Sequence, residues 1–158
     1  MMGQEIRLKE LIAFVNMLKN AGVHKFDIDN FSSRVRMQKY VYLAKLFGFK
    51  HEYIYNIYLK GPYSKDLADD YYKLNKVDEL EDLSEFNSEA FVELVKVKDL
   101  KWLEVATTIH FLWEKHKGLS KNMDATIVEL VCNIKSHVGR PYVRKILEEL
   151  KMADILEN

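Results

Sequence analysis

The side chains in this sequence that could do acid–base or metal chemistry are its histidines and one pair of adjacent carboxylates. The histidines are His24, His51, His110, His116 and His137. No two of them have the four-residue spacing that places two metal ligands on one helical face. Asp69 and Asp70 are neighbours, so on a helix their carboxylates point about 100° apart, and they are expected to be solvated. We therefore predict no catalytic residue, no metal site and no cofactor.

Three further candidates for chemistry have simpler structural explanations. His110 lies between Ile109 and Phe111, which indicates a histidine in the core or at its boundary rather than a catalytic base. Gly61 is followed by a proline, which lacks the N–H donor that a phosphate loop needs. Cys132 is the single cysteine and is predicted to be a buried structural thiol.

Tyrosine is concentrated in one part of the chain. Eight of the nine tyrosines lie between Tyr40 and Tyr72, where basic residues are interspersed with them. Such rings can stack on exposed bases, bind a protein partner or form core, and the sequence leaves these alternatives open. We predict a protein-binding surface on the outer faces of the second helix and of the strand after it. Its residues are Arg36, Lys39, Tyr42, Tyr55 and Tyr63.

Charge is unevenly distributed along the chain, although the formal net charge is zero. From Phe31 to Lys65 there are seven Lys and Arg and one acid, whereas Asp66 to Glu93 contains ten acids and two Lys. The two segments could neutralise each other, or they could form a bipolar surface whose basic side attracts an acidic partner or nucleic acid. Overall neutrality weakens the case for nucleic acid.

Apolar residues spaced three and four apart predict the helices that position these side chains. A first helix is predicted to end near Gly22. A second runs to about Gly48 after a cap by one of the serines in Ser32-Ser33. On this second helix, Gln38 and Lys39 are predicted to face outward.

A β-rich segment from Tyr53 to Leu59 predicts one short strand. Its partner strand is expected either at His24 to Ile28 or just after Lys76. Gly61-Pro62 is predicted to break the strand, and Ser64 to cap a third helix.

The second half of the chain predicts helices more clearly. The periodicity from Trp102 to Trp113 predicts one helix, and the residues around 127–134 and 143–150 predict two more. A short helix is expected around Ser88 to Val95, after an acid-rich turn at Asp78 to Glu89.

The last two predicted helices are separated by a glycine-containing turn, an order that resembles a helix-turn-helix. This gives an alternative function, DNA-binding regulation, in which basic and aromatic side chains of the last helix meet a groove. Those residues are Arg140, Tyr142, Arg144 and Lys145. Glu148 and Glu149 would oppose phosphate at the far end.

Together these patterns predict a mainly α, compact multi-helix domain with one short β element, a hairpin before the Gly-Pro-Tyr-Ser turn, and a helix-turn-helix-like C-terminal half. Residues 1–95 are predicted to form a helical module with the β element, and residues 96–158 a helical subdomain packed on it. No apolar run approaches the roughly 18 residues of a membrane span. The charges at Glu5 and Arg7 interrupt the stretch where a signal peptide would be apolar, so we predict a cytoplasmic protein.

Two motifs resemble a known family. The run Gln38-Lys39-Tyr40-Val41-Tyr42-Leu43, followed after a strand by Gly61-Pro62-Tyr63-Ser64, is similar to the hallmark of the SocA-like antitoxin domain, also called Panacea. The same signature occurs in uncharacterised small bacterial and archaeal proteins, which the half from Trp102 onward resembles more than the antitoxins proper. The shared motif positions are Gln38, Lys39, Tyr42, Gly61, Pro62, Tyr63, Ser64 and Leu67.

The resemblance implies a mainly helical domain that neutralises toxins by direct binding, or acts as an adaptor, with no enzymatic activity of its own. The partner it implies is another protein, such as a toxin encoded nearby. We therefore predict a non-enzymatic protein-binding module in a toxin-antitoxin or defence setting. The alternative is a winged-helix or helix-turn-helix DNA-binding regulator.

Overall fold

The structure, a computed structural model, describes residues 2–74, 83 and 85–157. Within these ranges it contains seven α-helices and one two-stranded hairpin, so the predicted mainly α fold with a short hairpin is confirmed. The helices are α1 (Met2–Asn20), α2 (Phe31–Lys45), α3 (Lys65–Tyr71), α4 (Ser88–Val95), α5 (Leu100–His116), α6 (Met123–Ile134) and α7 (Arg140–Met152). The strands are β1 (Asn56–Tyr58) and β2 (Gly61–Tyr63).

The chain divides into two compact units. The first contains the residues up to 56 and those from 63 to 98, and the second contains residues 57–62 and those from 99 onward. Helices α1 to α4 therefore belong to the first unit, and α5 to α7 belong to the second. The tip of the hairpin groups with the second unit, whereas the division predicted from the sequence left it in the N-terminal part.

Phenylalanine rings form much of the core of the first unit. Phe14 of α1 stacks on Phe49 with 4.8 Å between ring centroids, and Phe91 of α4 lies 5.6 Å from Phe14. All three side chains are buried. Within this unit α2 contacts both α3 and α4, so it is covered on more than one side.

The details of α2 differ from the prediction. Asn30 caps it, because its side-chain oxygen accepts the Ser33 backbone N–H at 2.8 Å. The Ser33 hydroxyl instead accepts the backbone N–H of Asp27. The predicted outward orientation of Gln38 and Lys39 is wrong, since their exposed fractions are 0% and 1%. Helix α2 contacts both α3 and α4, so its buried surface is wider than one apolar stripe, and the Gln38 amide is bonded to the backbone of Ser64.

The predicted strand is present but shorter, and its partner is a different segment. β1 pairs with β2, which is the Gly-Pro-Tyr run that the sequence indicated as a break. The hairpin therefore includes this run and does not end before it. No strand forms at His24 to Ile28, and the other candidate, just after Lys76, lies outside the described residues. Gly61 has a φ of +93°, a conformation that favours glycine.

The third helix begins as predicted. The Ser64 hydroxyl accepts the Leu67 backbone N–H at 3.3 Å and caps α3. Asp66 lies in the first turn, where its negative charge interacts favourably with the positive end of the helix dipole. The predicted short helix α4 is also confirmed. The acid-rich turn before it lies largely outside the described residues.

Helices α5, α6 and α7 all contact one another in the second unit, and all three were predicted. The two tryptophans of α5 link it to α7 and to the residues that follow α7. The Trp102 indole N–H donates to the Glu149 carboxylate at 3.2 Å, and that of Trp113 donates to the Glu157 carbonyl at 2.5 Å. In the parts of the chain that the structure describes, no helix combines the length and apolar character needed to cross a bilayer.

Candidate functional site

The motif residue Gln38 is bonded to the backbone of Ser64, where the hairpin ends and α3 begins. Its amide nitrogen donates to the Ser64 carbonyl at 2.9 Å, and its amide oxygen accepts the Ser64 N–H at 2.8 Å. Both residues are fully buried. The Ser64 carbonyl also accepts the Ala68 N–H of α3. One side chain of α2 therefore fixes the position of the chain between β2 and α3.

Most of the other motif positions are interior as well. Lys39, Gly61, Pro62 and Leu67 are buried, Tyr42 is half-buried, and Tyr63 is 36% exposed. Burial raises the pKa of Tyr71, which follows on α3, to about 12. The motif residues Gln38, Ser64 and Leu67, all of the first unit, thus form the interior of a junction between α2 and the start of α3. Their burial favours a structural role for these positions over a contact with a partner.

A buried carboxylate reinforces the same junction. Asp70 of α3 is 1% exposed and accepts two hydrogen bonds from the Arg7 guanidinium, at 2.5 and 3.0 Å. The Tyr53 hydroxyl donates to the same carboxylate at 2.6 Å. Burial, followed by this hydrogen bond, raises the pKa of Tyr53. The expectation that both aspartates are solvated is therefore wrong for Asp70, although Asp69 is exposed.

The predicted partner-binding residues do not form one open surface. Lys39 is buried, and the half-buried rings of Tyr42 and Tyr55 pack edge to face with centroids 4.9 Å apart. Arg36 is half-buried and donates to the Tyr40 hydroxyl and to the Lys98 carbonyl. Among the five, Tyr63 has the most exposed side chain.

Exposed apolar side chains occur at several places on the described surface, and two of them are adjacent at the turn of the hairpin. We call Tyr58, Leu59 and Lys60 the hairpin tip. Leu59 is 93% exposed and Tyr58 is 57% exposed, and Lys60 is exposed too. Two-residue hairpin turns favour small polar residues and glycine, so a leucine here is unusual. That departure is the signal by which sequence reasoning could have found this site.

A lysine at the end of α6 anchors the hairpin tip. Lys135 is 3% exposed, and its ammonium donates to the Leu59 carbonyl at 3.2 Å. Burial lowers the pKa of Lys135, the Glu104 carboxylate opposes this change, and the positive charge of Lys60 lowers the pKa further. The adjacent residue Ile134 is 44% exposed. An apolar turn is thus held in place directly above a buried cation.

The helix-turn-helix candidate consists of α6, a turn at residues 135–139 and α7. Arg140 donates two hydrogen bonds to the Glu129 carboxylate, at 2.6 and 2.9 Å. The Tyr142 ring is half-buried and lies 4.5 Å from the Lys101 ammonium. Arg144 and Lys145 are exposed. Of the four predicted DNA contacts, two are therefore already engaged within the protein.

Burial disfavours the charged form of two histidines, the half-buried His51 and the buried His110. The Nδ1 atom of His51 accepts the Tyr53 backbone N–H, so its Nε2 atom carries the proton and donates to the Val41 carbonyl at 3.1 Å. Burial lowers the pKa of His51 and that of His110 from 6.5 to about 4. His110 is 6% exposed, which confirms its predicted place in the core.

These two histidines predict a loss of stability in mild acid. The unfolded chain takes up protons at a pKa near 6.5, but the folded chain takes them up only near 4. Each histidine therefore contributes fully to the free energy of unfolding above pH 6.5. This contribution falls by up to about 3 kcal/mol as the pH falls toward 4. Urea unfolding at a series of pH values measures this loss.

The matched variants for this prediction are His51→Gln and His137→Gln. Glutamine keeps a donor and an acceptor at position 51 but has no charge to gain, so His51→Gln is expected to flatten the pH dependence of unfolding. His137 is exposed, so His137→Gln is expected to leave it unchanged. Equal acid sensitivity in wild type and His51→Gln would show that His51 does not carry the effect.

Other candidate chemistry is sparse in the described ranges. No group of three or more His, Cys, Asp or Glu there is placed to hold a metal ion. Cys132 is half-buried, not fully buried as predicted. Comparisons of the chain with protein-family models, curated proteins and solved structures found no match. The resemblance to SocA-like antitoxin domains therefore stays a prediction that rests on the two motifs.

Proposed function

We propose that this chain is a non-enzymatic protein-binding module of the antitoxin-like or adaptor kind, and that it contacts its partner through the hairpin tip. The observation that carries the proposal is the 93% exposure of Leu59 on a turn whose backbone is bonded to Lys135 at 3.2 Å. An exposed large apolar side chain on an anchored backbone is suited to fill a pocket on another protein.

The anchoring matters for affinity as well as for shape. A flexible loop loses conformational entropy when it binds, and this loss subtracts from the binding free energy. The Lys135 hydrogen bond restrains the turn before any partner arrives, and Gln38 fixes the chain one residue after β2. Tyr58 beside Leu59 adds contact area at low entropic cost, because its side chain has few rotatable bonds.

DNA binding is the second candidate function, and its support is the exposed pair Arg144 and Lys145 on α7. It ranks lower because the Arg140 guanidinium is engaged by Glu129 and because Glu148 is exposed on the same helix. A DNA-binding surface gains most of its affinity from cations that contact phosphate. The net charge of zero adds no general attraction to nucleic acid.

The test is direct binding to the proteins encoded by the genes on either side, measured by calorimetry with purified components. We expect one of them to bind, and we expect Leu59→Ser to weaken that binding about tenfold or more, as removal of a buried anchor does. The melting temperature of Leu59→Ser should stay close to that of the wild type, since the side chain is already in solvent.

Leu119→Ser is the matched control, because Leu119 is also in a turn of the second unit and is 78% exposed. It should bind as the wild type does. Equal affinity for wild type and Leu59→Ser would rule out the hairpin tip as the contact. Absence of binding by either neighbouring protein, together with duplex DNA binding that weakens steeply with salt, would favour the DNA-binding function.

A further inference from the structure

Two lysines of the described part of the chain lie at the hairpin tip. Lys60 is exposed in the turn, and Lys135 lies buried beneath it with its ammonium on the Leu59 carbonyl. Lys60 directly follows Leu59, whose carbonyl accepts from Lys135, so both lysines lie at the same turn, and the charge of Lys60 lowers the pKa of Lys135. Glu104 is the carboxylate that acts on Lys135 in the opposite sense. Among the described groups that act on one another here, two are cations and one is an anion, so positive charge is in excess.

Burial makes this excess more effective. A charge held away from water is screened less than an exposed one, so Lys135 acts at longer range than a surface lysine does. Among the described residues no carboxylate forms a direct ion pair with it, and the atom that accepts its hydrogen bond is the Leu59 backbone carbonyl. A negative group brought to the tip would therefore be attracted by both lysines.

From this geometry we propose that the hairpin tip docks an acidic segment of a partner protein, with Leu59 and Tyr58 in an apolar depression and a partner carboxylate beside Lys60. The proposal rests on the proposed function and adds the chemistry of the partner. It requires an acidic side chain next to apolar ones on the partner surface, a combination that complements the tip in both charge and hydrophobicity.

Nucleic acid and membrane surfaces also carry negative charge, but they match the tip less well. Single-stranded nucleic acid binds by stacking bases on aromatic rings, whereas the more exposed of the two apolar side chains of the tip is the aliphatic Leu59. Anionic membranes attract clusters of several exposed lysines and arginines, whereas the tip exposes one lysine and keeps the other at 3% exposure. A protein partner uses the apolar and the charged groups together.

The experiment measures fluorescence anisotropy with the full chain and four probes. These are a short labelled peptide of alternating glutamate and leucine, the same peptide with lysine in place of glutamate, a labelled single-stranded oligonucleotide, and labelled phosphatidylserine vesicles. We expect the acidic peptide to bind the wild type, and Lys60→Glu to weaken that binding about fivefold to tenfold, since attraction is replaced by repulsion. Lys60→Glu should in turn bind the basic peptide better than the wild type does.

Lys145→Glu is the control, because it makes the same change in net charge at an exposed position on α7. It should bind the acidic peptide as the wild type does. Thermal melts check folding, and Lys60→Glu should melt no lower than the wild type, since it removes the repulsion with Lys135. Equal binding of the acidic peptide by wild type and Lys60→Glu would overturn the proposal, as would Lys60-dependent binding of the oligonucleotide or of the vesicles alone.

The experiments distinguish a failure of the acidic-partner proposal from a failure of the proposed protein-binding function. If a neighbouring protein binds and requires Leu59 but not Lys60, the acidic partner is excluded and the protein-binding function stands. If neither neighbouring protein binds while the acidic peptide binds through Lys60, the antitoxin-like role fails and the docking chemistry stands.

Discussion

Replacing Gln38 by leucine is expected to lower the free energy of unfolding by about 3 kcal/mol. The side chain is fully buried and holds both the N–H and the carbonyl of Ser64. Leucine would leave the Ser64 N–H buried without this partner, and an orphaned buried donor costs about 1 to 3 kcal/mol. The carbonyl suffers less, because it keeps its bond from Ala68. Urea unfolding followed by circular dichroism measures the difference.

Gln38→Glu separates the loss of these hydrogen bonds from a general packing defect. A protonated glutamic acid can donate to the Ser64 carbonyl and accept its N–H, as glutamine does, but the carboxylate can only accept. Burial and the facing carbonyl should raise the folded-state pKa of this glutamate above its unfolded value of about 4.3. The variant should therefore approach wild-type stability as the pH falls toward that unfolded value, and diverge from it as the pH rises.

Each comparison is made with the wild type at the same pH, which cancels the effect of His51 and His110. Gln38→Leu has no group to titrate, so its deficit should not show this recovery in acid. A Gln38→Glu deficit that stays constant from pH 7 to low pH would contradict the hydrogen-bonding role of Gln38.

The helices were predictable because the residue pattern that specifies each of them lies within its own segment of the sequence. The regular spacing of Ile109, Leu112 and Trp113 marks the buried face of α5 wherever the rest of the chain lies, and the structure buries all three. The Ser64 cap was predictable for the same reason, since a cap joins residues only three apart in sequence. Such features depend on neighbours along the chain.

The junction could not be predicted because its bonds connect distant residues. Gln38 and Ser64 are 26 positions apart, and Arg7 and Asp70 are 63 apart. A helical pattern assigns polar residues to solvent. The local sequence does not indicate that a residue far along the chain will form hydrogen bonds with them in the interior. Pro62 led to a wrong prediction for β2, because proline argues against a strand except at a sheet edge, where its nitrogen faces away from the neighbouring strand. Both strands of a two-stranded hairpin are edge strands, so the proline is tolerated.

Replacing Asp70 by asparagine is expected to cost about 3 kcal/mol of stability, the upper range for hydrogen bonds that involve a charged group. The carboxylate is 1% exposed and accepts from the Arg7 guanidinium and from the Tyr53 hydroxyl. Asparagine fills nearly the same volume, but its amide nitrogen cannot accept, so one of these donors loses its partner. Tyr53 is the costlier loss, since it is 5% exposed, whereas the side chain of Arg7 is 40% exposed and can turn to water.

Asp69→Asn is the matched control, because it makes the same chemical change at the adjacent exposed position of α3 and should alter stability by less than about 0.5 kcal/mol. Arg7→Met should cost only about 1 kcal/mol, since solvent screens the partly exposed end of the pair. In a double-mutant cycle the two changes should couple, because they remove the two ends of one interaction. Equal effects of Asp69→Asn and Asp70→Asn, or strictly additive losses for Arg7→Met and Asp70→Asn, would show that this carboxylate does not hold α1 and α3 together.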